Sequence, residues 1–261
     1  MNETEYYVKN LKNIIKKTDN DALSSRIFNK RFINYNKYMN ERLKFIKLNN
    51  YDYDKILKNK DFCIRIRKML KDFQMDQRGS VLMSIDHIHN AFYQIIDNFV
   101  ELNLNNIRLE NLDLNIDMSK GKVNFYIKNI FEYLCEDNVI SKSGGIVVAS
   151  KTMHFIMPEL FIMIDNRVMK SLHNISDYYP EPDNSFKWYE VLVDYHGEKL
   201  NRFQGTQNWS QYIYYAGALI YYKRIINEWC QKNNSDLKGF IKNDRYSSVP
   251  YPSRLIDKLF W

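Results

Sequence analysis

Before residue 144 this chain contains two glycines and no proline. A backbone with so few breakers has little means of making the tight turns that sheets need, and it favours helices joined by short polar connections. Apolar positions recur at three- and four-residue spacing along most of the length, which points the same way. The expected fold class is therefore all-α, a two-lobed helical layout with lobes near residues 1–118 and 119–261. The same pattern also suits one domain.

The pattern can be followed segment by segment. Residues 2–17 open with a capping-box signature and place Tyr6, Val8, Leu11, Ile14 and Ile15 on one face. Residues 21–48 read as one long or two short helices with Leu23, Ile27, Phe28, Ile33 and Leu43 inward. The same stretch carries Arg26, Lys30, Arg31, Lys37, Arg42, Lys44 and Lys47 among its aromatics. That mixture suits either a solvated helix face or a flank turned toward phosphates. Residues 53–73 form a third basic helical unit, and residues 81–100 a strongly apolar one. His87 and His89, two apart, point about 200° from each other on a helix and do not share a metal. Residues 102–122 alternate polar and apolar, as an irregular link or a short ribbon would. Residues 173–185 read as a loop, and residues 206–232 as a long amphipathic helix with Gly217 at its centre.

Totals narrow the function classes. The 261 residues are 45% hydrophobic, enough for a core without metal or disulfide staples. A net charge of +7 permits a nucleic-acid partner without demanding one. Tyrosine and phenylalanine lift the aromatics to 15%, which serves either core packing or base stacking. Cys63, Cys135 and Cys230 lie far apart, as reduced thiols in a cytoplasmic protein would. Three cysteines exclude a four-cysteine iron–sulfur cluster. The first residues lack the pattern of a signal peptide, and no apolar run reaches the roughly 18 residues of a membrane span. No Walker lysine loop, Gly-x-Ser-x-Gly or His-Glu-x-x-His motif is present, so the sequence implies no cofactor.

One stretch concentrates unusual features: residues 143–168, SGGIVVASKTMHFIMPELFIMIDNRV. Gly144 and Gly145 stand side by side, and Ile146, Ala149, Met153 and Ile156 follow at helical spacing. A helix ending near Asn138 precedes them. The reading is helix, glycine turn, helix, with unpaired amides at the start of the second helix forming an anion seat.

These residues resemble the helix-hairpin-helix DNA glycosylase superfamily, whose hairpin has the form Leu-Pro-Gly-Val-Gly-x-x-Thr-Ala. Lys142-Ser143-Gly144-Gly145-Ile146-Val147-Val148-Ala149 aligns with it, Gly145 and Ala149 matching the second glycine and the alanine. Asp165 follows Ala149 by 16 residues, the interval to the catalytic aspartate in shorter members. The resemblance implies a helix-hairpin-helix element at about residues 126–157, a DNA partner, a role in DNA repair as a hydrolase, and Asp165 as the catalytic carboxylate. It places Lys142, Ser143, Gly144, Gly145, Val147, Lys151 and Arg167 against nucleic acid. Ser143 and Lys142 replace the first motif glycine and the proline. Val147 stands where bifunctional members carry a nucleophilic lysine, and valine forms no imine. The implied activity is monofunctional: hydrolysis of an N-glycosidic bond, with a flipped base stacked on aromatics such as Tyr93, Trp188 or Trp209.

Each of these residues also has a plainer role. Asp165 can cap the helix that follows. Arg167 can pair with Asp165. His154 can sit satisfied in the core, and Lys151 can extend along apolar surface toward solvent. The Met75-Asp76-Gln77-Arg78-Gly79 turn can be a second phosphate contact or an ordinary connection, and the C-terminal PSRLIDKLFW packs Leu255, Ile256, Leu259 and Trp261 inward. Besides a glycosylase, the sequence admits a non-catalytic nucleic-acid binder and a defence-associated interaction protein of the same fold.

Overall fold

The computed structural model describes residues 3–24, 26–73, 81–165, 168, 208–242 and 251–257. The described chain is all-α. Its helices are α1 Glu3–Ser24, α2 Arg26–Leu48, α3 Tyr53–Lys58, α4 Lys60–Asp72, α5 Ile85–Leu104, α6 Val123–Cys135, α7 Ile146–Ile156, α8 Asn208–Lys232, α9 Leu237–Ile241 and α10 Pro252–Asp257. A two-stranded antiparallel ribbon, β1 Asp117–Met118 and β2 Gly121–Lys122, precedes α6. The loop expected at residues 173–185 lies outside the described residues.

Side-chain caps set the helix boundaries. The expected unit at 53–73 is two helices because Asn59 stops one and starts the next. Its side chain accepts the amides of Asp61 and Phe62, as Asp52 does for Asp54 and Lys55 at the start of α3. Ser84 caps α5, so this helix begins later than its apolar run suggested. Val81–Met83 instead run antiparallel to Ile140–Lys142, with Met83 N–H to the Ile140 carbonyl at 2.9 Å and Lys142 N–H to the Val81 carbonyl at 2.8 Å. Apolar identity was read correctly there. A backbone pairing nearly sixty residues away decided the conformation.

Helix α2 packs against α1 and α4. Along α4 it runs antiparallel, shown by three contacts in register: Asn34 to Asp72 at 3.0 Å, Glu41 to Arg65 at 2.7 Å, and stacked Phe45 and Phe62 rings 5.5 Å apart. The adjoining face meets α7, where the Tyr38 hydroxyl donates to the Phe155 carbonyl at 3.0 Å. Ile33, expected inward, falls on the remaining outward face and is 56% exposed. Helix α8 closes the far side of α6, with Phe131 and Tyr215 stacked at 4.7 Å. Buried side chains from Val8 to Leu255, drawn from both sides of residue 118, form one continuous cluster. Burying each such Leu, Ile, Val or Phe contributes roughly 1.5–3 kcal/mol.

Candidate functional site

Helices α6 and α7 pack together and are joined by residues 136–145. Two different constraints require the two glycines. At Gly144 a Cβ would lie 1.9 Å from the Cys135 carbonyl oxygen, so backbone passes where a side chain cannot. Gly145 has open space around it but adopts φ +114° and ψ 172°, a region essentially reserved for glycine. From that conformation it caps α7, its carbonyl accepting from Val148 and Ala149.

Three of the amides read from sequence as unpaired, those of Gly144, Gly145 and Ile146, have partners. Gly144 N–H donates to the Asp137 carboxylate at 2.7 Å, and Gly145 N–H to the Cys135 carbonyl at 2.8 Å. Ile146 N–H donates to Oε1 of Gln211 at 3.1 Å, a buried side chain on α8. Lys142 spends its amide on Val81. A phosphate seated on this backbone would displace Gln211 and meet the negative charge of exposed Asp137. Helical periodicity locates the start of α7. It does not reveal that a side chain 65 residues onward completes it.

Beyond Ile156 the chain turns at residues 157–160 and comes back along α7. Two contacts fix the return: His154 with the Phe161 carbonyl, and Ser150 with Ile164. The Ser150 hydroxyl oxygen accepts the Ile164 N–H at 3.1 Å, and the same group approaches the Ile164 carbonyl at 3.3 Å. Asp165 follows immediately. Its residue is half-buried, and its Oδ1 accepts the Val168 N–H at 3.1 Å, the capping geometry. Arg167 lies outside the described residues, as do Trp188 and the side chain of Trp209. So does the Met75–Gly79 turn.

His154 is a core residue. Burial, reinforced by the charges of Arg254 and Arg42, lowers its pKa to about 3, so the ring is neutral at ordinary pH. Its tautomer follows from its partners: Nδ1 donates to the Phe161 carbonyl at 2.7 Å, leaving Nε2 to accept the Tyr35 hydroxyl at 2.8 Å. Lys151 is half-buried, its ammonium 5.7 Å above the centre of the Phe73 ring. Val147 packs against the core from a half-buried position, while Lys142 and Ser143 are exposed. Tyr93, a candidate stacking residue, is 44% exposed on α5.

The sequence reading missed a polar hub. Arg42, grouped there with the cations of a solvated or phosphate-facing flank, is wholly buried. Its guanidinium meets both Glu159 carboxylate oxygens, at 2.9 and 3.0 Å, and also donates to the Tyr53 and Tyr251 hydroxyls and the Ile156 carbonyl. It locks the 157–160 turn, and hence the path to Asp165, onto α2. Helical phase was the available signal: Arg42 shares the face of Tyr35, Tyr38, Met39 and Ile46, whereas Lys37 and Lys44 do not.

Among the described residues no group of histidine, cysteine, aspartate or glutamate side chains could hold a metal ion, and no helix is long and apolar enough to cross a membrane. The chain matches no protein-family model, no curated protein and no solved structure.

Proposed function

We propose that this chain is a DNA-binding protein similar to monofunctional base-excision glycosylases, with Asp165 as its reacting carboxylate. The supporting observation is how Asp165 is held. The residue before it is pinned to α7 by buried Ser150, while Asp165 itself keeps access to solvent. A carboxylate so placed suits either stabilising a sugar with oxocarbenium character or taking a proton from attacking water. In that reaction water adds to C1′ of the sugar. The C–N bond breaks with its electron pair going to the base, and the base takes up a proton. Because the Gly144, Gly145 and Ile146 amides are engaged internally, phosphate contacts fall largely to side chains, exposed Lys142 among them.

The test incubates the protein with duplexes carrying uracil, alkylated or oxidised bases and then treats them with alkali to cut abasic sites. Strand cleavage lost in Asp165→Asn, with DNA affinity retained, is the expected result. No cleavage with any lesion, while Asp165→Asn binds DNA as the parent does, would remove the enzymatic claim.

A second reading, a non-catalytic binder or defence-associated interaction protein, draws on a separate observation. The Asp165 carboxylate already serves Val168 as a cap, and the hairpin spends its amides on Asp137, Cys135 and Gln211. Salt-dependent DNA binding without chemistry favours the binder. No DNA binding at all leaves the interaction protein.

A further inference from the structure

We infer that the outward face shared by α2 and α4 is a docking surface for a nucleic-acid backbone, with Lys37, Lys44 and Lys68 as its principal cations. This rests on the DNA-binding reading above and gives that reading a second surface, apart from the hairpin.

The register of the two helices defines the face. Position 34 lies against 72, 41 against 65 and 45 against 62, so Lys68 sits across the groove from Lys37. Lys37 and Lys44 are seven residues apart, two turns on one side of α2 and about 10.5 Å along its axis. The separation of packed helices, roughly 8–10 Å, sets the distance across to Lys68. All three are exposed, and none has a carboxylate partner among the described residues. Arg65 stands between them, held at 2.7 Å by Glu41, and exposed Asp61, two turns before Lys68, is a second acidic side chain at the edge of this face. Duplex DNA carries one negative charge per roughly 1.7 Å of axis, so cations about 10 Å apart on flexible stems each find a phosphate.

The chemistry favours a polyphosphate over a lipid surface. A membrane-surface helix inserts an apolar face opposite its basic one. Here those opposite faces are committed, with Tyr35, Tyr38, Met39, Ile66 and Leu70 buried in the core, and the exposed apolar side chains Ile33, Leu48 and Ile64 stand singly among the lysines rather than as a continuous insertion face.

The test measures anisotropy of a short labelled duplex across a salt series, using the full chain, the triple variant Lys37→Gln, Lys44→Gln, Lys68→Gln, and Glu41→Gln. A control replaces Lys232 and Lys238, exposed on α8 and α9. Each lost phosphate contact removes about 0.9 from the slope of log affinity against log salt. The triple variant is expected to lose roughly 2–3 from that slope and over tenfold in low-salt affinity, at an unchanged thermal midpoint. Glu41→Gln binds more tightly, a gain that misfolding does not produce, and the control binds as the parent does. A parent that binds while the triple variant keeps its slope overturns this inference and leaves DNA binding standing. A parent that does not bind at low salt overturns both.

Discussion

Ser150 and Ile164 exchange contacts across the return of the chain: one hydroxyl on α7 satisfies the Ile164 amide at 3.1 Å and lies 3.3 Å from its carbonyl. Both residues are wholly buried, so water cannot replace what the hydroxyl supplies. The next residue is Asp165, whose direction depends on this tether. Ser150→Ala should cost about 1–3 kcal/mol by leaving a buried amide unsatisfied. Urea unfolding reads that loss, and hydrogen exchange at the Ile164 amide should quicken beyond what the global loss explains. Unchanged exchange there would mean that Asp165 is held by something else.

The paired glycines predict an order of damage. Gly144→Ala drives a methyl into the Cys135 carbonyl, so the 136–145 connection must open. Gly145→Ala meets nothing closer than Gln211 Oε1 at 3.9 Å and pays only for φ +114°, about 1–3 kcal/mol. Denaturant midpoints should fall further for Gly144→Ala. The reverse order would contradict this account of the turn.

What was legible in the sequence was local. Val8, Leu11 and Ile15, and Ile146, Ala149, Met153 and Ile156, are buried as their spacing required. The long helix at 208–232 also follows from pattern, while the stretch before α6, which admitted an irregular link or a short ribbon, holds a ribbon at its end. What was not legible depends on partners distant in sequence. Arg42 looked like its neighbouring lysines until Glu159, 117 positions away, came beside it. The Ile146 amide at the start of α7 looked bare until Gln211 arrived from α8. Ile33 looked inward because it is apolar, but α2 turns that phase to solvent. Periodicity reports a face. Which faces meet is a tertiary fact.

The Arg42–Glu159 pair should behave as one unit. Removing Glu159 leaves the wholly buried Arg42 without its counter-charge, which costs about 3–5 kcal/mol, whereas removing Arg42 strands a carboxylate that is 26% exposed and costs less. Arg42→Lys should fare poorly too, because one ammonium cannot serve Glu159, Tyr53, Tyr251 and Ile156 together. A cycle with Arg42→Met, Glu159→Gln and the double variant, followed by urea unfolding, should show the double losing clearly less than the two singles combined. Strict additivity would mean the two side chains are energetically independent.

His154 ties stability to acid. In the unfolded chain a histidine titrates near 6.5, whereas burial holds this ring's pKa at about 3 in the fold. Above roughly pH 6.5 the ring is neutral in both states and adds no pH dependence. Below that value the unfolded chain takes up a proton that the native state refuses. Stability therefore falls as pH drops toward about 3, by at most ~1.4 kcal/mol per unit from this group. Carboxylates add a slope of their own, so the decisive quantity is the difference between the parent and His154→Asn, which cannot titrate. The variant should start less stable near neutrality, having lost the fit to Tyr35 and Phe161. It should then decline more gently between about pH 6 and 4, so that the two curves converge. Parallel curves would mean that the native ring accepts a proton as readily as the unfolded one. The Nδ1–H tautomer, and the dry Tyr35–His154–Phe161 bridge joining α2 to the return of the chain, would then both be wrong.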